Sequence, residues 1–229
     1  MTKKILIGAP VRQDHETFYK YLKALNQLET DGLEVDFFFI LHNSEKLKRF
    51  LKPEQYAIYQ SDSIYKTDDQ THHWTGNNLA DVIEMKNYLL RRTIEYNYDY
   101  FFLVDSDLIL KPDTLKRLVS RNKQIIAQCF WTKWTPEQEE QPNAWLYDFY
   151  SFDSPGEYNN WKHPQVLQVG GSGACILIDK NVIRSGVNYT PIPNVSFSVW
   201  EDRAFCIRAA VKGYQIFLDT TSPPDHLYR

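Results

Sequence analysis

Residues 100–107 read YFFLVDSD. Five consecutive aromatic and aliphatic residues cannot alternate between core and water, so Tyr100–Val104 is expected as a strand buried on both faces. Strands of that kind occupy the middle of parallel sheets covered by helices. This one stops on Asp105-Ser106-Asp107, which places two carboxylates two residues apart at a strand end. Hard divalent cations take oxygen ligands, and such a pair can reach one ion; a pair of solvated turn acids is the bland alternative.

Outward from that strand, helical and extended patterns alternate. Lys4–Ala9 is a short apolar strand closed by Pro10, and Val35–Leu41 is a second strand closed by His42-Asn43-Ser44. Between them, Phe18, Tyr21, Leu22, Leu25 and Leu28 recur at helical spacing, giving a βαβ unit. Glu45–Leu51 is expected as a short helix, Tyr56–Tyr59 as a short strand, and the breaker-rich stretch Lys66–Asn78 as a loop. Leu79–Glu95 returns to helical spacing, and a further helix follows Pro112. Gln124–Phe130 is extended, while Trp131–Trp161 shows no clear period. Val166–Val169 and Ala174–Asp179 read as strands around the tight loop Gly170-Gly171-Ser172-Gly173, and a polar stretch runs on to Trp200. Glu201–Lys212 is helical with Gly213 as its stop, and Tyr214–Asp219 is the last strand. The pattern predicts an α/β fold with a mostly parallel central sheet flanked by helices. Ligands of such sheets bind beyond the carboxyl ends of the strands, where Pro10, Asn43 and Asp105 lie.

Composition narrows the functional classes. The 229 residues are 43% hydrophobic and 24% charged, the mixture of an ordinary globular protein, and no repeat or linker divides them. A formal net charge of -3 supplies no basic field for nucleic acid, so no nucleic-acid partner is expected. No apolar run approaches the ~20 residues of a membrane span, and the start of the chain lacks the apolar core of a signal peptide, so a cytoplasmic location without a transmembrane segment is expected. Cys129, Cys175 and Cys206 cannot all pair and form no C-x-x-C, which fits a reducing compartment and buried thiols better than a catalytic one.

Three further groups could carry chemistry. Glu201-Asp202 opens a helix, where acids often serve only as capping residues. A carboxylate there could equally take a proton from an acceptor hydroxyl. His226 follows Pro223-Pro224-Asp225 beyond the last strand and could complete the coordination of an ion held by the aspartates, or simply fray. Gly171 and Gly173 could let backbone approach a ligand or merely close a hairpin. Among Trp131, Trp134, Trp145, Tyr147, Trp161 and Trp200, one or two are expected to stack on sugar rings and the rest to be core. His72-His73 beside Asp68-Asp69-Gln70 is read as a solvated loop rather than a metal site.

Four ordered segments resemble the GT-A glycosyltransferases, especially their family-2-like members: ILIGAPVR (5–12), MKNYL (85–89), FFLVDSD (101–107) and WEDRAFCIRAAVKG (200–213). The resemblance implies a single catalytic domain over 1–229, with residues 1–110 as nucleotide-binding half and 111–229 as acceptor-binding half. It implies a metal-dependent transfer of sugar from a nucleotide-diphosphate sugar, UDP- or GDP-linked, to a carbohydrate or other hydroxyl acceptor. Pro10, Arg12, Asn43, Lys86, Asp105, Ser106, Gly171 and Gly173 would line the donor; Asp105, Asp107 and His226 would hold Mn²⁺ or Mg²⁺. Asp202, with Glu201 as the alternative, would be the base, and an inverting outcome is favoured over a retaining one. The second strand ends on His42-Asn43 where many relatives carry an acidic pair, which leaves the nucleotide open. A nucleotidyltransferase is the rival enzyme, although Gly8-Ala9-Pro10-Val11-Arg12 makes a poor triphosphate loop, and a non-catalytic carbohydrate-binding protein is the third reading.

Overall fold

A computed structural model describes residues 2–63, 66–67, 72–73, 76–133, 139–146, 157–195 and 201–227. Its centre is a seven-stranded sheet. In chain order the strands are β1 (Lys3–Gly8), β2 (Leu33–Phe37), β3 (Tyr100–Val104), β4 (Ile125–Gln128), β5 (Val166–Val169), β6 (Cys175–Asp179) and β7 (Ile216–Asp219). Their spatial order is β5-β7-β4-β6-β3-β1-β2. β2, β1 and β3 run parallel, as do β4 and β7, whereas β6 is antiparallel to both β3 and β4, and β5 is antiparallel to β7. The expected mostly parallel α/β sheet is present, with β6 wedged between its two parallel parts.

Alternation in β3 divides the core. Phe101 and Leu103 point to one face, packed with Met85, Leu89 and Phe205, while Tyr100, Phe102 and Val104 point to the other with Phe18, Tyr21 and Leu115. The helices that cover these faces are α1 (His15–Leu25), α2 (Gly76–Glu95), α3 (Thr114–Ser120), α4 (Lys180–Arg184) and α5 (Glu201–Val211). α1 starts at Asp14, whose carboxylate accepts from the amides of Glu16 and Thr17 as an N-cap should, and it buries Phe18, Tyr21, Ala24 and Leu25. Tyr21 then donates its hydroxyl proton to the carbonyl of Val104 at 2.7 Å, tying the helix to the end of β3.

The sequence reading misses several local features. Its second strand is interrupted at Phe38: β2 ends at Phe37, and Phe39–His42 joins Pro10–Val11 and Tyr56–Tyr59 in a separate three-stranded parallel sheet. Glu45–Phe50 is a 3₁₀ helix. Part of the expected loop pairs, Lys66–Thr67 against His72–His73, and α2 begins at Gly76, a turn earlier than its apolar stripe. α4, five residues in the stretch read as polar, is too short to show a period. The tail is ordered too, Asp225–His226 pairing antiparallel with Leu108–Ile109.

Gly8 marks where β1 meets the Phe38 break. A Cβ at this position would overlap the carbonyl oxygen of Phe38, a backbone atom that cannot swing aside. Gly8→Ala is therefore expected to lower the unfolding free energy by about 1–3 kcal/mol, read from the midpoint of urea denaturation.

Candidate functional site

The site lies beyond the carboxyl end of β3. Asp105 donates its amide to the carbonyl of Ala174 at 2.8 Å, and Leu108 N–H returns to Asp105 O at 3.1 Å, so Asp105–Leu108 makes a tight turn directly after the strand. Ser106 is buried in it. Asp107 emerges next to the chain's tail, where Leu227 N–H donates to Asp107 O at 2.9 Å. That bond and the Asp225–His226 pairing bring His226 Nε2 to 3.5 Å from Asp107 Oδ2. Phe130 packs on the imidazole with ring centroids 5.1 Å apart, and Nδ1 is buried without a hydrogen-bond partner.

Across the site, Glu201 and Asp202 form the first turn of α5. The ammonium of Lys86, whose side chain is only 4% exposed, donates to Glu201 Oε1 and to Asp202 Oδ1, both at 2.9 Å. Burial opposes the charge on Lys86, but the carboxylates of Asp202, Glu201 and Asp105 outweigh it and hold its pKa well above the ordinary lysine value. Withdrawal from water pushes Asp202 up to about 6 against the pull of Lys86, with Glu201 adding to the rise. Desolvation likewise lifts Asp105 to about 8, Lys86 opposing and Asp107, Asp202 and Glu201 reinforcing. One ammonium thus faces the acids of two motifs, and the residual field is negative. Such a field attracts a cation, which would restore the charge on Asp105.

The glycines expected beside a ligand make room first for side chains of the protein itself. A Cβ on Gly171 would overlap the indole of Trp145, and one on Gly173 would overlap the carboxylate of Asp202. Asn143 secures this segment by donating to Gly173 O at 3.2 Å and Ser172 Oγ at 3.3 Å while accepting from Phe130 N–H at 2.9 Å. No sequence pattern singles out Asn143, since one asparagine in an aperiodic stretch carries no signal.

Pro10 opens its short strand of the smaller sheet, paired with Ile40, while Arg12 and Asn43 directly follow the carboxyl ends of two parallel strands of that sheet. Asn43 adopts a positive φ of 47° and uses both side-chain polar atoms on the backbone of Ser61, at 2.9 and 3.1 Å. His42 is buried against Ser61 Oγ at 2.9 Å and lies 3.5 Å from Asp81 Oδ2. Burial lowers its pKa, Asp81 opposing and the charge of Arg12 assisting. Asp81, on α2, thus places a carboxylate beside the end of this strand. A polar residue within the apolar stripe of a helix is the signal that could have revealed both Asp81 and the engaged position of Lys86.

Of the aromatic group, Trp161 is core, while Trp131 and Trp145 are half-buried, the latter 5.6 Å from the guanidinium of Arg203. Trp134, Tyr147 and Trp200 lie outside the described residues, as do Asp68, Asp69 and Gln70. Among the described residues no three His, Cys, Asp or Glu side chains form a closed metal cage. The paired Asp107 and His226 nonetheless fit an ion: the donor set is one hard oxygen and one imidazole nitrogen, Asp107 Oδ2 and His226 Nε2, held 3.5 Å apart. A cation there would complete its coordination from ligand oxygens and water.

All three cysteines are free and buried, and burial pushes the thiols up, Cys129 and Cys206 to about 12. Raised in this way, the thiols are held in the protonated form, which is the poor nucleophile. None of the three is expected to react with a thiol-specific disulfide reagent at pH 8 in the native protein, and all three should react once it is unfolded in urea, as absorbance titration would show.

Residues 38–134 match the model of the family described as glycosyltransferase family 25, N-terminal domain. A glycosyltransferase 25 family member of Aedes aegypti is 28% identical over 138 residues, which cover 54% of this chain and 23% of that protein. The chain thus spans about a quarter of the length of that relative. Among solved structures, TarS of S. aureus (residues 1–349, in complex with UDP-GlcNAc) superposes with a TM-score of 0.55 at 10% identity, covering 97% of this chain and 57% of that one. The mannosyltransferase PcManGT of Pyrobaculum calidifontis, in complex with GDP-Man and Mn²⁺, gives a TM-score of 0.51 at 9% identity and covers 96% and 55%. The matching sequence model is thus that of family 25, where the motifs suggest family-2-like members, and the likeness to the solved structures is one of fold.

Proposed function

We propose, from the GT-A glycosyltransferase fold that this chain has, that it is a metal-dependent transferase moving a sugar from a nucleotide-diphosphate sugar to a hydroxyl acceptor with inversion. The observation that carries this reading is the pair of acidic stations at one strand end. Asp107, with His226 3.5 Å away, stands on one side, and Asp202 on the other has its carboxylate bound by Lys86. The neighbours' own ligands, UDP-GlcNAc in one and GDP-Man with Mn²⁺ in the other, support a donor of that class.

In this reading Asp107 and His226 hold Mn²⁺ or Mg²⁺, which would neutralise the charge that gathers on the departing diphosphate. Asp105, two residues closer to the sheet, would face the ribose or help to hold the ion, and Pro10, Arg12 and Asn43 would border the nucleoside. Asp202 accepts the proton of the acceptor hydroxyl as its oxygen bonds to the anomeric carbon and the bond to the diphosphate breaks. A pKa of about 6 suits a general base of this kind, because at pH 7 most of the group is ionised, yet it still holds a proton strongly enough to draw one from an alcohol in the transition state.

Three measurements test the assignment. UDP or GDP with Mn²⁺ is expected to raise the melting temperature, and Asp107→Ala should lose that shift. Asp202→Asn should keep it while nucleotide release falls about 10²–10⁴-fold. Because the base works only when deprotonated, kcat/KM should fall tenfold per unit as pH drops below about 6 and level off above it. No shift with any nucleotide, or full turnover in Asp202→Asn, would sink the corresponding role.

A further inference from the structure

The proposed base must be aimed, and two features far apart in the chain enclose its carboxylate. On one side Lys86 donates to Asp202 Oδ1 at 2.9 Å. The lysine cannot wander: its side chain is 4% exposed, its second bond goes to Glu201 Oε1, and its ammonium lies 5.2 Å from the centre of the Tyr189 ring. Tyr189 is itself fixed, stacked on Phe205 at 4.8 Å, with its amide donating to Asn87 Oδ1 at 2.9 Å. On the other side, Asp202 Oδ2 lies against the bare Cα of Gly173, where any Cβ would overlap it.

Among the described residues the glycines with positive φ are Gly32, Gly186 and Gly213, and Gly173 is not one of them. Its backbone conformation is therefore open to any L residue, and what demands a glycine there is the room taken by Asp202. Lys86 lies on the buried stripe of α2 with Val82, Met85 and Leu89, where an apolar residue would satisfy packing. A buried ammonium in such a stripe costs stability unless it is paired, and replacing a buried ion pair by well-packed apolar groups is often neutral or better. Stability alone therefore does not account for the lysine.

We propose that Lys86 and Gly173 form a clamp that orients Asp202, Lys86 acting as a positioning residue that ties down Oδ1 so that Oδ2 is the oxygen presented to the acceptor hydroxyl. The proposal rests on the reading of Asp202 as base. It differs from a role for Lys86 in gripping the donor, since two of the three ammonium hydrogens are already committed to carboxylates.

The test uses the full chain with Mn²⁺ and follows nucleotide release from UDP-glucose, UDP-N-acetylglucosamine and GDP-mannose, taking forward each donor that is turned over. Lys86→Met is expected to lower kcat by about 10–100-fold while the donor KM changes less than about twofold, because orientation matters in the transition state and not in donor binding. Lys86→Arg should recover part of the loss. Gly173→Ala leaves the ammonium in place and should give the same kcat-selective loss, so the clamp remains testable if Lys86→Met fails to fold. In the double variant the losses should not add, since each change releases the same carboxylate.

A raised donor KM at unchanged kcat in Lys86→Met overturns the clamp, as do fully additive losses. If Asp202→Asn is inactive while Lys86→Met and Gly173→Ala are fully active, the base stands and the clamp alone falls. If Asp202→Asn retains full turnover, or no donor releases its nucleotide, the premise falls and the clamp with it.

Discussion

The paired hydrogen bonds from Lys86 to Glu201 and Asp202 join parts of the chain 115 and 116 residues apart, and the remainder of the site is arranged around them. A buried ammonium is tolerable only when partnered, so the docking of α5 against α2 is set by a charge as well as by apolar contact. Phe205 and Ala209 complete that packing on one side of α5, with Met85 and Leu89 of α2 in the same cluster. Once the two helices are fixed, the first turn of α5 must face the end of β3, and Asp105 comes within electrostatic reach of both acids of that turn.

The wedge of β6 between β3 and β4 makes this arrangement possible. An all-parallel sheet would send the chain away from the site at the carboxyl end of every strand. An antiparallel strand instead begins there, so Gly173 and Ala174 enter beside Asp105, and the Ala174 carbonyl accepts the Asp105 amide. Ala174 takes a positive φ of 64° to make that entry. A non-glycine residue held in that conformation carries strain, which the Asn143 bonds to Gly173 O and Ser172 Oγ help the segment sustain.

The parts of this structure that are legible in the sequence are those with a local signature. The five apolar residues of β3, the acids that end it, the stripe of α1 and the acids that open α5 each declare themselves within a few residues. What escapes depends on distant partners. The direction of β6 follows from which strands flank it, and no feature of CILID encodes that neighbourhood. The break at Phe38 lies where its carbonyl oxygen comes close against Gly8, a contact between residues distant in the sequence. His226 has the sequence context of a frayed tail because a two-residue strand has no period, yet its pairing with Leu108 is what sets it beside Asp107. The segment around Lys86 carries no sign of its contacts with Glu201 and Asp202, which lie more than a hundred residues further along the chain.

The two ends of the site hold their side chains by different physics. At the end of the smaller sheet, Asn43 and His42 are fixed by hydrogen bonds to Ser61, whose hydroxyl in turn donates to Asp81 Oδ2 at 2.7 Å, and burial keeps His42 low in pKa. Such bonds hold geometry while changing little with pH or salt near neutrality. At the far end, position depends on charge: Lys86 holds Asp202, and burial together with the neighbouring acids raises the proton affinity of Asp105. A bound cation would act on the second end, favouring the charged form of Asp105. The site therefore has a stiff end built to keep one shape and a polarisable end whose charge state answers to what is bound, an arrangement that suits a reaction in which charge develops at only one of them.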